Sequence, residues 1–175
     1  SIFSDLEERC VDIFQKTIEC QKEHPNKRII THFIPPHHPY IGSTAEKLLP
    51  QYDQQEQGDR HLFHRIESGE FDISDEQLRT MYRENLNRVL PYVKSLIEQL
   101  NGKTVISADH GDLLGDRTGP IPIKTYGHPR NYYVPELVEV PWQICDGDRK
   151  EIISEEPISQ DSADPTTEEL EKQLE

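Results

Sequence analysis

The feature that most constrains the fold is a long amphipathic segment between two short β-branched runs. Residues 74–100 carry apolar side chains at helical spacing, and Ser74 with Gln77 forms a capping box at the start. Residues 28–34 and 103–108 have the composition of buried strands. A strand, a crossover helix and a second strand in this order are typical of a parallel sheet.

Further patterns extend this arrangement on both sides. Residues 5–22 repeat apolar side chains at helical spacing after a capping box at Ser4, and a short helix is predicted near residues 45–49. Residues 138–145 are a third strand candidate, in which Pro141 indicates an edge position or a bulge. The sequence therefore predicts an α/β fold, a layered sandwich with a mostly parallel sheet flanked by helices.

The charge pattern divides the chain into two parts. Residues 146–175 hold eleven acidic and three basic side chains, so this tail supplies more than half of the net charge of −14. We predict one domain over residues 1–145, followed over residues 146–175 by an acidic linker and a short terminal helix at residues 166–174. High negative charge with few apolar side chains predicts poor order in the linker.

Composition also excludes several classes of partner. An acidic chain lacks the clustered basic side chains that bind a phosphate backbone, so nucleic acid is not an expected partner. No apolar run approaches the ~20 residues that span a bilayer, so no membrane association is expected. The cysteines Cys10, Cys20 and Cys145 are odd in number and lack C-x-x-C spacing, which favours a reducing compartment, the cytoplasm.

Polar residues with metal-binding chemistry follow the second predicted strand. The segment Asp109-His110-Gly111-Asp112 begins where residues 103–108 end, and ligands of open α/β sheets bind outside the carboxyl ends of the strands. A carboxylate and an imidazole at a strand end can share one metal ion. The alternative is an ordinary turn in which the Asp-His pair faces solvent.

Histidines also follow the first predicted strand and occur in a later loop. His32 ends residues 28–34, His37 and His38 lie just beyond, and His128 follows Tyr126-Gly127. The alternative for each is a loop histidine that faces water or binds a backbone carbonyl. We prefer that alternative for His38 and a functional role for His37.

Four motifs in this order resemble the C-terminal part of sulfatase-like proteins of the alkaline-phosphatase superfamily, particularly archaeal ones. They are H-F-I-P-P-H-H-P-Y, V-I-S-A-D-H-G-D-L-L-G-D, Y-G-H-P and V-E-V-P-W, and the resemblance covers residues 5–145. It implies an alkaline-phosphatase-like fold that is incomplete at its N-terminus. It also implies metal-dependent hydrolysis of a small sulfate or phosphate ester.

The resemblance assigns roles to individual residues. Asp109 and His110 become ligands of a divalent metal ion, which is Zn, Mn, Ca or Mg. His37 and His128 become catalytic residues that bind the anion or protonate the leaving group, and His32 lies beside them. The identity of the metal ion and the choice between sulfate and phosphate stay open.

The nucleophile of such enzymes has no counterpart here. Sulfatases carry it in C-x-P-x-R or S-x-P-x-R, and no segment of the chain matches either pattern. The chain is then a portion of a longer hydrolase, inactive alone, or a catalytically inactive binding or scaffold domain of the same fold. A sheet without its first strands exposes an edge, so we expect a missing N-terminal segment or a homo-oligomer to cover it.

Overall fold

A computed structural model describes residues 2–49, 62–118, 120–121, 123–148 and 152–153 of the chain. Within these residues the helical segments are α1 (Ile2–Glu23), α2 (Ser43–Leu48), α3 (residues 62–67), α4 (Asp75–Gln99) and α5 (Pro135–Val138). The strands are β1 (Thr104–Ile106), β2 (Leu113–Asp116), β3 (Thr125–Gly127) and β4 (Gln143–Cys145).

Helix α4 matches the prediction for the long amphipathic segment. Ser74 is its N-cap: the side-chain oxygen accepts a hydrogen bond from the Gln77 backbone, and the Gln77 side chain accepts one from the Ser74 backbone. These two bonds satisfy N–H groups that the first helical turn leaves unpaired. The buried residues of the helix are Leu78, Met81, Asn85, Val89 and Leu96.

Helix α1 is longer than predicted. It begins at Ile2, so Ser4 lies inside the helix and the predicted capping box at that residue is wrong. The helix packs along α4, where the rings of Phe14 and Tyr92 lie 6.4 Å apart. Near its end, Gln21 Nε2 donates a hydrogen bond to the Asn101 carbonyl at 3.2 Å. The two long helices therefore form one layer.

The predicted mostly parallel sheet is wrong. Among the described residues the strands form two separate antiparallel pairs: β1 with β4, and β2 with β3. Residues 28–34 belong to no strand, although their exposure alternates residue by residue. A β-branched run indicates extended backbone but not the direction of its partner, and β1 pairs with the later strand β4 instead.

The hydrophobic core lies between helices α2, α3 and α4 and the hairpin that β2 and β3 form. Its buried members are Tyr40, Ala45, Leu49, Leu62, Phe63, Ile66, Ile73, Leu78, Met81 and Leu114. Several of these come from residues 41–73, a stretch in which the sequence shows no clear periodicity beyond a short helix. The core therefore depends on a region that sequence patterns describe poorly.

Two other expectations concern the tail and the membrane. The predicted acidic linker and terminal helix fall mostly on residues 149–151 and 154–175, which lie outside the described residues. No helix in the described part is both long enough and apolar enough to cross a bilayer. Within the part of the chain that the structure describes, no disulfide joins any of the three cysteines.

Candidate metal centre

The β2–β3 hairpin brings Asp112 and His128 together. Leu113 at the start of β2 pairs with Gly127 at the end of β3. In an antiparallel pair the residue before one strand lies opposite the residue after the other, which places Asp112 beside His128. The His128 Nδ1 donates a hydrogen bond to Asp112 Oδ1 at 2.8 Å, and the Asp112 side chain is only 7% exposed.

Two glycines allow this hairpin to pack against the helices. Gly127 has a φ of 70°, and a Cβ there would lie 2.9 Å from the Phe63 ring. Gly115 has a φ of 89° at a β-bulge, and a Cβ there would collide with the Asp75 carboxylate. Glycine alone adopts such φ values readily and leaves room for these neighbours.

The Asp75 carboxylate, in the first turn of α4, anchors the hairpin. It forms an ion pair with Lys124 at 2.6 Å and accepts a hydrogen bond from the Tyr126 hydroxyl at 2.9 Å. Burial raises the pKa of Asp75, but the hydrogen bonds from Lys124 and Tyr126 outweigh it and hold the pKa below its ordinary value. One turn later, Arg79 forms an ion pair with Asp116 at 2.7 Å.

The contact between Asp75 and Tyr126 also changes the pKa of Tyr126. Burial, followed by the hydrogen bond to Asp75 and the negative charge of that carboxylate, raises the pKa of Tyr126 to about 12. Since Tyr126 lies two residues before His128, the contact that fixes Tyr126 on α4 also fixes the strand end that carries His128. The helix therefore positions one side of the site.

The segment from Asp109 to Asp112 passes under helix α5. The Gly111 N–H donates to the Leu137 carbonyl at 2.9 Å, and a Cβ on Gly111 would collide with the Glu136 carbonyl. Only glycine permits this approach. It turns the chain so that the His110 ring lies on the His128 ring, with 4.4 Å between their centroids.

Asp109 lies at the outer side of this segment. Its side chain is 66% exposed, and its Oδ2 lies 3.8 Å from His110 Nε2. Burial raises the pKa of Asp109, but hydrogen bonds from the backbone N–H groups of Asp109 and His110, together with the charges of His110 and His32, hold it below its ordinary value.

The loop after residues 28–34 delivers His37. The His37 ring lies 5.5 Å from the His128 ring between centroids. One potential ligand atom from each of His37, Asp112 and His128 lies within 4.8 Å of the others. We call these three residues the His-Asp cluster. His38 is buried with its ring edge against Tyr40, so its side chain does not face water.

All three histidines at the site orient the same ring nitrogen toward an oxygen. The Nδ1 of His37 lies 2.9 Å from the His38 carbonyl oxygen, and the Nδ1 of His110 lies 2.9 Å from the Gly111 carbonyl oxygen. The Nδ1 of His128 lies 2.8 Å from the Asp112 carboxylate. Because these oxygens accept hydrogen bonds, each Nδ1 carries a proton. In the neutral ring the lone pair then lies on Nε2, which is the usual arrangement of metal-binding histidines.

The structure brings the four predicted site residues to one place and adds Asp112. The sequence assigns no role to Asp112, because its position depends on the pairing of β2 with β3. Burial, followed by the negative charges of Asp112 and Asp109, raises the pKa of Tyr82 on α4.

No protein-family model, curated protein or solved structure matches this chain. The chemistry of the site therefore has to be inferred from its own residues and their geometry.

Proposed function

We propose that the chain binds a divalent cation at the His-Asp cluster and that this centre serves the hydrolysis of a sulfate or phosphate ester. The observation that carries the proposal is the convergence of imidazole and carboxylate groups from separate loops, with every imidazole oriented through Nδ1.

The donor set fits a divalent cation. Two nitrogen ligands at ~2.0–2.1 Å from a tetrahedral ion lie roughly 3.3–3.4 Å apart, so ligand atoms within 4.8 Å can share one ion after their side chains rotate. Asp112 joins His128 on the ion only when the hydrogen bond between Asp112 and His128 Nδ1 is broken. Imidazole nitrogen and carboxylate oxygen suit zinc or manganese, whereas calcium prefers oxygen ligands alone. The buried Asp112 carboxylate supplies the negative charge that offsets the ion.

The resemblance to sulfatase-like proteins divides the roles differently. It assigns the cation to Asp109 and His110, and the anion to His37 and His128. The 3.8 Å between Asp109 Oδ2 and His110 Nε2 is also compatible with a shared ion. We favour the His-Asp cluster because it offers three groups and a buried carboxylate, whereas the Asp109 side chain is mostly exposed.

A bound cation polarises the oxygens of a tetrahedral ester and stabilises charge on them. The remaining work falls to the imidazoles. His110 lies outside the His-Asp cluster and its side chain is 39% exposed, so an anionic group can reach it from solvent. A protonated His110 binds the anion and can deliver a proton to the leaving oxygen. We propose a small anionic ester as substrate and the cytoplasm as compartment.

The proposal assigns no nucleophile to this chain. Since no segment matches the sulfatase nucleophile motif, we expect the chain by itself to bind cation and anion without turnover. Hydrolysis of a sulfate or phosphate ester by the purified chain would contradict this division of labour. A catalytically inactive binding domain remains the alternative function.

Calorimetric titration with zinc and manganese tests the proposed site. We expect Asp112→Asn to weaken zinc binding by at least about tenfold, because the substitution removes the buried negative charge and leaves only a neutral amide oxygen to bind the ion or to accept from His128. Asp109→Ala should have a smaller effect. The matched control is Asp12→Asn, which removes an exposed carboxylate on α1 that pairs only with Lys16 among the contacts described for it.

The outcomes separate the assignments. Loss of binding in Asp109→Ala with retention in Asp112→Asn would replace the His-Asp cluster by the ligand pair that the resemblance implies. If the unmodified chain binds neither zinc nor manganese, the proposed metal site is refuted and the inactive binding domain is favoured.

A further inference from the structure

The side chain of Asn85 is the polar centre of the contact between α4 and the loop that carries His37. It is fully buried, and its Nδ2 lies 2.9, 3.1 and 3.3 Å from the carbonyl oxygens of Pro39, His37 and Pro36. Its Oδ1 accepts a hydrogen bond from the Ile41 N–H at 2.8 Å. Two N–H protons are thus shared among three carbonyls, and the whole amide is engaged inside the protein.

These contacts have a selective effect on the loop carbonyls. Asn85 binds those of residues 36, 37 and 39, and the carbonyl between them, that of His38, accepts from the His37 ring at 2.9 Å. The ring can make this bond only with a proton on Nδ1. The loop conformation that Asn85 stabilises is therefore the one that puts the His37 lone pair on Nε2.

Helix α4 relates this loop to the other side of the site. Asp75, ten residues before Asn85 on the same helix, binds the hairpin that carries Asp112 and His128. Both arms of the His-Asp cluster are thus attached to a single rigid element. A displacement of the loop relative to α4 changes the distance between His37 and the other two groups.

We propose that Asn85 is a positioning residue for the His-Asp cluster: it fixes the Nδ1–H tautomer of His37 and its place beside Asp112 and His128. The part that concerns metal binding rests on the proposed function. The part that concerns the tautomer does not, because it follows from the hydrogen bonds of the loop alone.

Nitrogen NMR of His37 distinguishes this role from simple core packing. Under alkaline conditions, where imidazoles are neutral, we expect the unmodified chain to show a protonated Nδ1 and an unprotonated Nε2 at His37. In Asn85→Ser, which removes the shared amide donor, we expect both tautomers in exchange. Zinc affinity should fall by about 10–100-fold, the usual range for groups that orient metal ligands.

Glu84→Gln is the matched control. Glu84 precedes Asn85 on α4 and binds the start of α2, just after the loop, through the Ser43 hydroxyl and the N–H and hydroxyl of Thr44. The substitution weakens a neighbouring contact without touching the carbonyls of residues 36, 37 and 39. We expect the His37 tautomer and zinc affinity to stay as in the unmodified chain while thermal stability decreases slightly.

The readouts keep the two proposals apart. If Asn85→Ser retains the Nδ1–H tautomer of His37, or if Glu84→Gln changes it equally, the positioning role is overturned whatever happens to zinc. If zinc does not bind the unmodified chain but the tautomer shifts as expected, the metal proposal fails and the positioning role stands. If Asn85→Ser does not fold, the unmodified chain decides: a His37 protonated on Nε2 overturns the role, and a protonated Nδ1 supports it.

Discussion

The two small sheets of this chain differ sharply in how well they are packed. In the β2–β3 hairpin, Leu113 is 0% exposed and Leu114 is 7% exposed, and Leu114 belongs to the hydrophobic core. In the β1–β4 pair, Val105 is 39% exposed and its cross-strand partner Ile144 is 51% exposed. Sheets of equal size therefore contribute unequally, because only one of them closes the core.

The candidate site includes residues that lie next to each of the two sheets. Asp112 and His128 extend from the packed hairpin, where Asp75 and two glycines fix the backbone. Asp109 follows the exposed strand β1 and has an exposed carboxylate. Within the segment from Asp109 to Asp112, the backbone of Asp112 is therefore held more firmly than that of Asp109. Asp112 is the better candidate for a metal ligand, because a ligand on a fixed backbone rearranges less on binding.

We expect the largest effect from a substitution in the packed hairpin, compared with one in the exposed β1–β4 pair. Leu113→Ala should lower the free energy of unfolding by about 2–5 kcal/mol, because it empties space in a fully buried position. Val105→Ala in β1 should cost less than about 1 kcal/mol, since that side chain is already partly in water. Urea denaturation of both variants measures the difference. Equal losses would show that the two sheets are packed alike.

The Asp75 anchor should show a smaller, pH-dependent effect. Asp75→Asn removes the ion pair with Lys124 and weakens the bond from Tyr126, which should cost about 1–2 kcal/mol near neutral pH. The folded-state pKa of Asp75 is lowered, so its carboxylate stabilises the fold above its ordinary pKa of about 4. That contribution is lost as the pH falls through the lowered value.

Chemical denaturation at several pH values tests this sign. The parent should exceed Asp75→Asn in stability at pH values above about 5, and the two should converge in acid. The control is Glu98→Gln, an exposed carboxylate near the end of α4 that lies 3.9 Å from Lys94. A gap between parent and Asp75→Asn that widens in acid would refute the assignment of the lowered pKa.

The sequence predicted helices better than it predicted sheets. The capping box at Ser74 and the apolar stripe of α4 are local signals, and local hydrogen bonds determine the helix. Strand direction is not local. Residues 28–34 have the composition of a strand yet form no strand, and β1 pairs with a strand that begins 37 residues after it ends.

For the candidate site too, local signals in the sequence were informative and non-local pairing was not. Residue type and order identify the motif around Asp109 and His110 and the loop residues His37 and His128. These signals do not depend on sheet topology, so the wrong sheet prediction does not affect them. Asp112 was missed because its position depends on the register of the β2–β3 hairpin. Register arises from packing that involves Asp75 and Phe63, both distant in sequence from that strand.

We expect the smallest effect from removing the Tyr126 hydroxyl in the packed hairpin. Tyr126→Phe removes the hydroxyl that donates to Asp75 at 2.9 Å but keeps the ring, which stacks on Phe63 with 6.3 Å between centroids. We expect a loss of about 1 kcal/mol in the free energy of unfolding, the net value of one hydrogen bond to a partly solvated carboxylate. In the double variant with Asp75→Asn the additional loss should be smaller than in the single variant, because the two substitutions remove the same contact. Denaturation of the four proteins gives this coupling directly, and fully additive losses would show that the hydroxyl of Tyr126 stabilises the hairpin independently of Asp75.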